Sequence, residues 1–358
     1  MLAAPGLAGG RRGGGRPGTR YGSRDERPPQ SPPTPVRMNR DLPRRVTIRE
    51  VGPRDGLQAE PPLPVRQRAG LIDMLGGANL RKIEAVSFVS PKAVPAMADA
   101  AEVWKLVRRR SDVAYSALVP NRRGAESAIE AGGFSSLQAF IAASEGYNEA
   151  NVGKSVAQSL QDVRDVIEVA RGADLPVEVT VSCAFGDPYE GVVAMETVLW
   201  MAERVAELGA DGISLGDTSG MADPARVWEL VPLIRDRVPG LRLNLHLHDT
   251  RGAAMANVLA ALEAGVDEFD ASLGGIGGSP FAPGAGGNVP TEDLVAMLHG
   301  MGIETGVDVL ALFTAARMLQ GMIGHPLRGT AWHADYPELG WAAPMAHSDS
   351  GESHPPQH

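Results

Sequence analysis

The sequence predicts an α/β protein folded as a (β/α)8 TIM barrel, and three observations carry that expectation. From Val46 onward, short segments rich in β-branched residues alternate with longer segments of helical period, the pattern of βα units around a parallel sheet. The alternation runs through eight units, the number that closes such a barrel. A chain of 358 residues, 43% hydrophobic, has the length for one barrel, although length alone fits two ordinary domains as well.

The first strand is placed at 46–51, where VTIREV is halted by Gly52-Pro53, and a helix follows at 65–76. The second, KIEAVSF at 82–88, alternates around Lys82 and Glu84 and leads to a helix at 97–109. Strands at 112–118 and 136–142 are followed by helices at 121–131 and 151–173. Strands at 177–182 and 211–215 precede helices at 193–208 and 222–237. The seventh strand, 242–248, feeds a helix at 253–264; the eighth, 267–271, is followed by a long Gly-rich loop and an eighth helix at 291–301. An extra C-terminal helix at 306–323 packs outside the barrel. The catalytic domain is thus set at 41–325, with a weakly ordered tail at 326–358, and no repeat beyond the βα alternation is visible.

Residues 1–40, with GGRRGGGRPG and PPQSPPTP, cannot pack a core and are expected to be disordered. They hold eight Arg against Asp25 and Glu26, a balance of +6 that leaves −15 on the remainder of a chain whose total is −9. An acidic body of that kind repels nucleic acid and anionic membrane, so neither is expected as a partner. The tail itself offers only Tyr21 for stacking on a base. No apolar run reaches the roughly 18–20 residues of a membrane span. A single cysteine, Cys183, excludes a disulfide framework and suits a reducing compartment. The expected location is the cytoplasm, or the mitochondrial matrix if residues 1–37 are a transit segment; Met38 can equally serve as the start.

Catalytic groups of such a barrel sit at the C-terminal ends of the strands. In LRLNLHLHDT, period-two alternation turns Asn244, His246 and His248 to the lumen. Two imidazoles two residues apart can share one metal ion, given oxygen ligands from other strands. Asp55, in GPRDGLQ at the rim of the first strand, is the natural carboxylate, and Asn288 at the end of the Gly-rich loop can add an amide oxygen. That mixed nitrogen and oxygen set favours Mg2+ or Mn2+. Arg54 is placed to stabilise a developing enolate oxygen. The loop at 274–293 is far longer than an ordinary βα connection and reads as a lid over the mouth. Pro280 falls where a dinucleotide fingerprint needs its third glycine. Glu84 and Asp217 are either site carboxylates or members of structural ion pairs; Glu292 is either catalytic or part of the start of the next helix; Cys183 reads as a small buried group.

Taken together, GPRDGLQ at 52–58, SFVSPKAVPAMAD at 87–99, SLGDTSG at 214–220, LHLHDT at 245–250 and the 274–293 loop resemble the 3-hydroxy-3-methylglutaryl-CoA lyase family of metal-dependent barrels, over about 46–310. The resemblance implies metal ligands Asp55, His246, His248 and Asn288, with Arg54, Glu84, Asp217, Ser279 and Glu292 around the reaction. The substrate-facing set is Arg54, Gln58, Ser87 and Asn121. It implies a carbon–carbon lyase of leucine-catabolic type, with retro-Claisen cleavage of an acyl-CoA substrate to acetoacetate and acetyl-CoA, His246 or Asp217 as base, and a homodimer. The chain departs at one position. The family's lid cysteine in GGCP is Ser279 here, and a hydroxyl is a much weaker acid than a thiol. Two other readings follow from it: a lyase or aldolase for a related hydroxyacyl-CoA or hydroxy-acid, and a weakly catalytic acyl-CoA-binding homologue.

Overall fold

The structure, a computed structural model, describes residues 42–279, 281–282 and 284–333. Eight parallel strands close on themselves in sequence order: β1 (Thr47–Glu50), β2 (Lys82–Ser87), β3 (Ala114–Leu118), β4 (Ser136–Ala142), β5 (Val177–Ser182), β6 (Gly212–Gly216), β7 (Arg242–His246) and β8 (Glu268–Ala271). The seam is the pairing of β1 with β8, from Thr47 opposite Glu268 to Glu50 opposite Ala271. Around the sheet lie α1 (Val65–Gly77), α2 (Ala100–Leu106), α3 (Arg122–Ala131), α4 (Glu145–Val152), α5 (Val156–Arg171), α6 (Met195–Leu208), α7 (Pro224–Arg237), α8 (Ala254–Glu263), α9 (Thr291–Gly300) and α10 (Val309–Ile323).

Local chemistry explains the boundaries. Asp223 accepts from the Arg226 amide at 3.0 Å and Pro224 takes the first helical position, so α7 starts there. Its Val227, Leu230, Val231 and Ile234 are buried against the sheet. The helix expected at 151–173 starts later, at Val156, as α5, and a separate short helix, α4, precedes it. Gly153, at φ +66°, ends α4, and a capping box of Ser155 and Gln158 starts α5. The helix expected from 97 begins instead at Ala100, because Pro95–Met97 forms a 3-10 turn and Asp99 takes a left-handed conformation. The turn after β1 is a single π-helical turn, Gly52–Gly56.

The lumen is not purely apolar. Arg49 grips Asp270 through two hydrogen bonds of 2.7 and 2.8 Å and also pairs with Glu178, all three buried. Charges taken from water need such bidentate partners to offset their desolvation.

One difference concerns the chain's C-terminal end. The C-terminal tail was expected from 326, but residues 326–333 pack on the barrel, with Leu327 and Trp332 buried. Asp293 holds that segment through the Thr330 and Ala331 amides at 2.9 and 2.7 Å, a contact invisible to local periodicity. Residues 1–41, which include the N-terminal tail, and 334–358 lie outside the described residues. Among the described residues no helix is long and apolar enough to cross a membrane.

Candidate active site

At the C-terminal mouth of the strands a cavity of about 570 Å3 is lined by Arg54, Asp55, His246, His248, Ser279 and Tyr147, among others. The π-helical turn presents Arg54 and Asp55 side by side, their side chains joined at 2.7 Å. Glu84 on β2 pairs with the other edge of Arg54 and lies behind it, out of the cavity. Gln58 donates to Asp55 Oδ1 at 2.8 Å. Asp55 is held down at a pKa of about 2: burial opposes its charge, but Arg54, His246 and His248 outweigh that.

His246 and His248 leave β7 on the same side, as period two demands. His246 Nδ1 lies 2.9 Å from Asp270 Oδ2, and His248 Nδ1 lies 3.1 Å from the Gly286 carbonyl. Each partner is an acceptor, so each ring carries its proton on Nδ1 and turns a bare Nε2 lone pair inward. Those two Nε2 atoms face each other at 3.2 Å, and Asp55 Oδ2 stands 3.7 Å from His246 Nε2. With both rings neutral, three electron-rich atoms converge there. The Asn288 amide donates to Asp55 Oδ2 at 2.7 Å and to the Ile276 carbonyl at 3.1 Å, leaving its buried Oδ1 without a partner among the described residues. Asp55, His246 and His248 form a group able to hold a metal ion, and the orphaned oxygen of Asn288 completes a set that a hard divalent cation fits.

The two histidines differ electrostatically. Burial lowers both, but the Asp270 hydrogen bond and the Asp55 charge carry His246 above its usual value; His248, for which burial is joined by repulsion from any charge on His246, is driven down to about 4.

The remaining candidates spread out. Ser279 hangs from the lid into the cavity, its Oγ 2.6 Å from the Tyr147 hydroxyl. Asn121 lines the cavity and caps α3 through the Gly124 amide at 3.1 Å, whereas Ser87 lines a neighbouring cleft that Asn121 shares. Asp217, just past β6, is buried beneath the mouth; burial pushes its pKa up to about 7, against the Ala222 amide hydrogen bond, and its Oδ2 has no partner among the described residues. Glu292 neither lines the cavity nor caps α9. Its carboxylate receives the Gly274 amide at 2.9 Å and so braces the base of the lid.

Sequence reasoning missed Asp270 and Tyr147. Asp270 was legible, since it shares the lumen phase of β8 with Glu268. Tyr147 sits on α4, a helix too short to show a period.

Fold and site together define a (β/α)8-barrel protein with a cluster of nitrogen and oxygen atoms able to hold a metal ion under a glycine-rich loop. The HMGL-like family model matches residues 45–319, and the chain belongs to that family. It is 44% identical to hydroxymethylglutaryl-CoA lyase YngG of Bacillus subtilis over 80% of this chain and 95% of that protein. It is 42% identical to the 3-hydroxy-3-isohexenylglutaryl-CoA/hydroxy-methylglutaryl-CoA lyase of Pseudomonas aeruginosa, over 79% and 95%. Among solved structures, an HMG-CoA lyase from Acinetobacter baumannii in complex with coenzyme A and 3-methylmalate superposes with a TM-score of 0.78 at 38% identity, covering 87% of this chain and 98% of that one.

Proposed function

We propose that this chain is a divalent-metal-dependent lyase that cleaves 3-hydroxy-3-methylglutaryl-CoA to acetoacetate and acetyl-CoA. The observation that carries the reading is the convergence of Asp55, both histidine Nε2 atoms and the orphaned Asn288 oxygen beside Arg54 in one cavity. Relatives at 42% and 44% identity bearing lyase names support it.

Asp55, His246, His248 and Asn288 would hold Mg2+ or Mn2+, which when bound supplies Lewis acidity to the substrate's hydroxyl and carboxylate oxygens. The protein's own groups do the rest. With Nδ1 committed to Asp270 and Nε2 to the metal-holding cluster, His246 has no lone pair free for a proton. Asp217, whose amide donates to the His246 carbonyl at 2.8 Å and whose carboxyl is raised to about 7, is the better base for the C3 hydroxyl. Arg54 spends Nε on Glu84 and Nη1 on Asp55, leaving Nη2 without a partner among the described residues for the enolate oxygen that forms as C2–C3 breaks.

Coupled detection of acetoacetate and acetyl-CoA, with and without added Mg2+ or Mn2+, tests the reading. Metal-dependent turnover is expected; tight acyl-CoA binding with no product would make the chain a binding homologue instead. A second reading is favoured by Val89, Val94, Leu118 and Phe140, which give the cavity an apolar flank suited to a larger C3 substituent. Thioesters with longer branches, run in the same assay, separate the two. The reading further places the protein in the cytoplasm as a homodimer whose partner is a free acyl-CoA.

A further inference from the structure

Ser279 hangs where a carbon acid must be made, yet an aliphatic hydroxyl is a poor proton donor at neutral pH. A stronger acid lies against it. Tyr147 Oη is 2.6 Å from Ser279 Oγ, and both side chains line the cavity with Arg54 and His246. The pair is held from several sides. The Tyr147 ring packs with Ala142, Cys183 and Ala282, and its amide donates to Asp187 Oδ2 at 3.1 Å. On the lid, Ser279 Oγ accepts from the Phe281 amide at 3.2 Å, and Tyr189 Oη donates to the Phe281 carbonyl at 2.7 Å.

The Phe281 amide occupies one lone pair of Ser279 Oγ. When Ser279 Oγ donates its own hydrogen to Tyr147 Oη, the phenolic hydrogen is free for a third group. A phenol, ordinarily near 10, ranks below a thiol near 8.5 as an acid but far above an alcohol. We propose that Tyr147, oriented by Ser279, is the acid that protonates the enolate carbon, in the place a lid thiol would otherwise fill. The proposal rests on the lyase reading. When C2–C3 breaks, its electron pair passes into the thioester enolate; C2 then takes the Oη proton to complete the acetyl methyl group. The Ser279 hydrogen bond stabilises the phenolate, which regains a proton from water, while the proton lifted from the C3 hydroxyl leaves to solvent, so none is gained overall. Burial pushes the phenol up, which keeps it protonated until a base as strong as the enolate arrives.

The test compares the full chain with Tyr147→Phe, Ser279→Ala and the double variant Tyr147→Phe/Ser279→Cys, each with Mg2+. Two readouts are taken: kcat and KM for cleavage of 3-hydroxy-3-methylglutaryl-CoA, and exchange of acetyl-CoA methyl hydrogens for deuterium from D2O, which needs the carbon acid but no bond cleavage. Tyr147→Phe is expected to lower both kcat and exchange by about 10²–10⁴-fold with KM unchanged. Ser279→Ala should cost less than Tyr147→Phe, and the double variant should recover rate because its thiol supplies the acid. A Tyr147→Phe protein that cleaves and exchanges like the wild type overturns the inference alone, as does a double variant no faster than Tyr147→Phe. A wild type inactive in both assays overturns the lyase reading and this inference with it.

Discussion

At the scale of single residues, the site is governed by who holds each proton. Asp270 fixes His246 with its Nε2 bare, so Asp270→Asn should weaken Mn2+ binding about 10–100-fold in calorimetric titration, with the fold intact. His246→Ala or Asp55→Ala, which remove proposed ligand atoms, should abolish binding and turnover together; an unchanged rate in either would sink the site. Because burial raises Asp217 to about 7, kcat/KM should climb as pH rises through that value and the carboxylate becomes a base, and Asp217→Asn should remove the limb. Glu292 acts on stability. Its pKa moves from 4.5 to about 8, chiefly through burial, so between those values the folded protein keeps a proton that the unfolded chain has shed. Stability attributable to Glu292 therefore falls as pH rises across that window, and urea midpoints of Glu292→Gln should lack that part of the slope. Asp55 and the two histidines were readable as candidates at strand ends, and Asn288 at the end of the Gly-rich loop; the structure brings all four together. The role of Glu292 was not readable, because its partner is the Gly274 amide across the lid rather than a neighbour in its own helix.

At the scale of elements, the lid is built by conformations that side chains resist. Gly277 has φ +110°, and a Cβ there would overlap Asn288 Nδ2 and stand 3.2 Å from Asp55 Oδ2. Gly277→Ala should therefore displace the Asn288 amide proposed as a metal ligand, and a loss of Mn2+ affinity with an unchanged circular dichroism spectrum is the expected outcome. All eight strands stand within two residues of where alternation placed them, since each carries a strong period and a clear break. The irregular pieces escaped: the π-helical turn that aims Arg54 and Asp55 and the eight-residue α4 that delivers Tyr147 offer too few residues for a period to show.

At the scale of the whole molecule, the chain's described end is part of the working structure. The Arg328 amide donates to the Gly274 carbonyl at 2.9 Å, and Leu327 packs beneath Gly274, so the segment after α10 anchors the lid's root. Truncation after residue 325 removes the buried side chains of Leu327 and Trp332, each worth roughly 1.5–3 kcal/mol. A lowered melting temperature together with a raised KM is expected from that variant; a loss of stability alone would detach the segment from the lid. The closed order of strands has another consequence, in time rather than in space. Strand β1 is made first but its second neighbour, β8, emerges from the ribosome 221 residues later, as the Arg49–Asp270 pair across the seam records. Until then the growing sheet carries two open edges and an arginine that lacks its bidentate partner, with Glu178 alone to pair it. Translation speed and chaperone shelter over that interval thus bear on yield more than the stability of the finished barrel does.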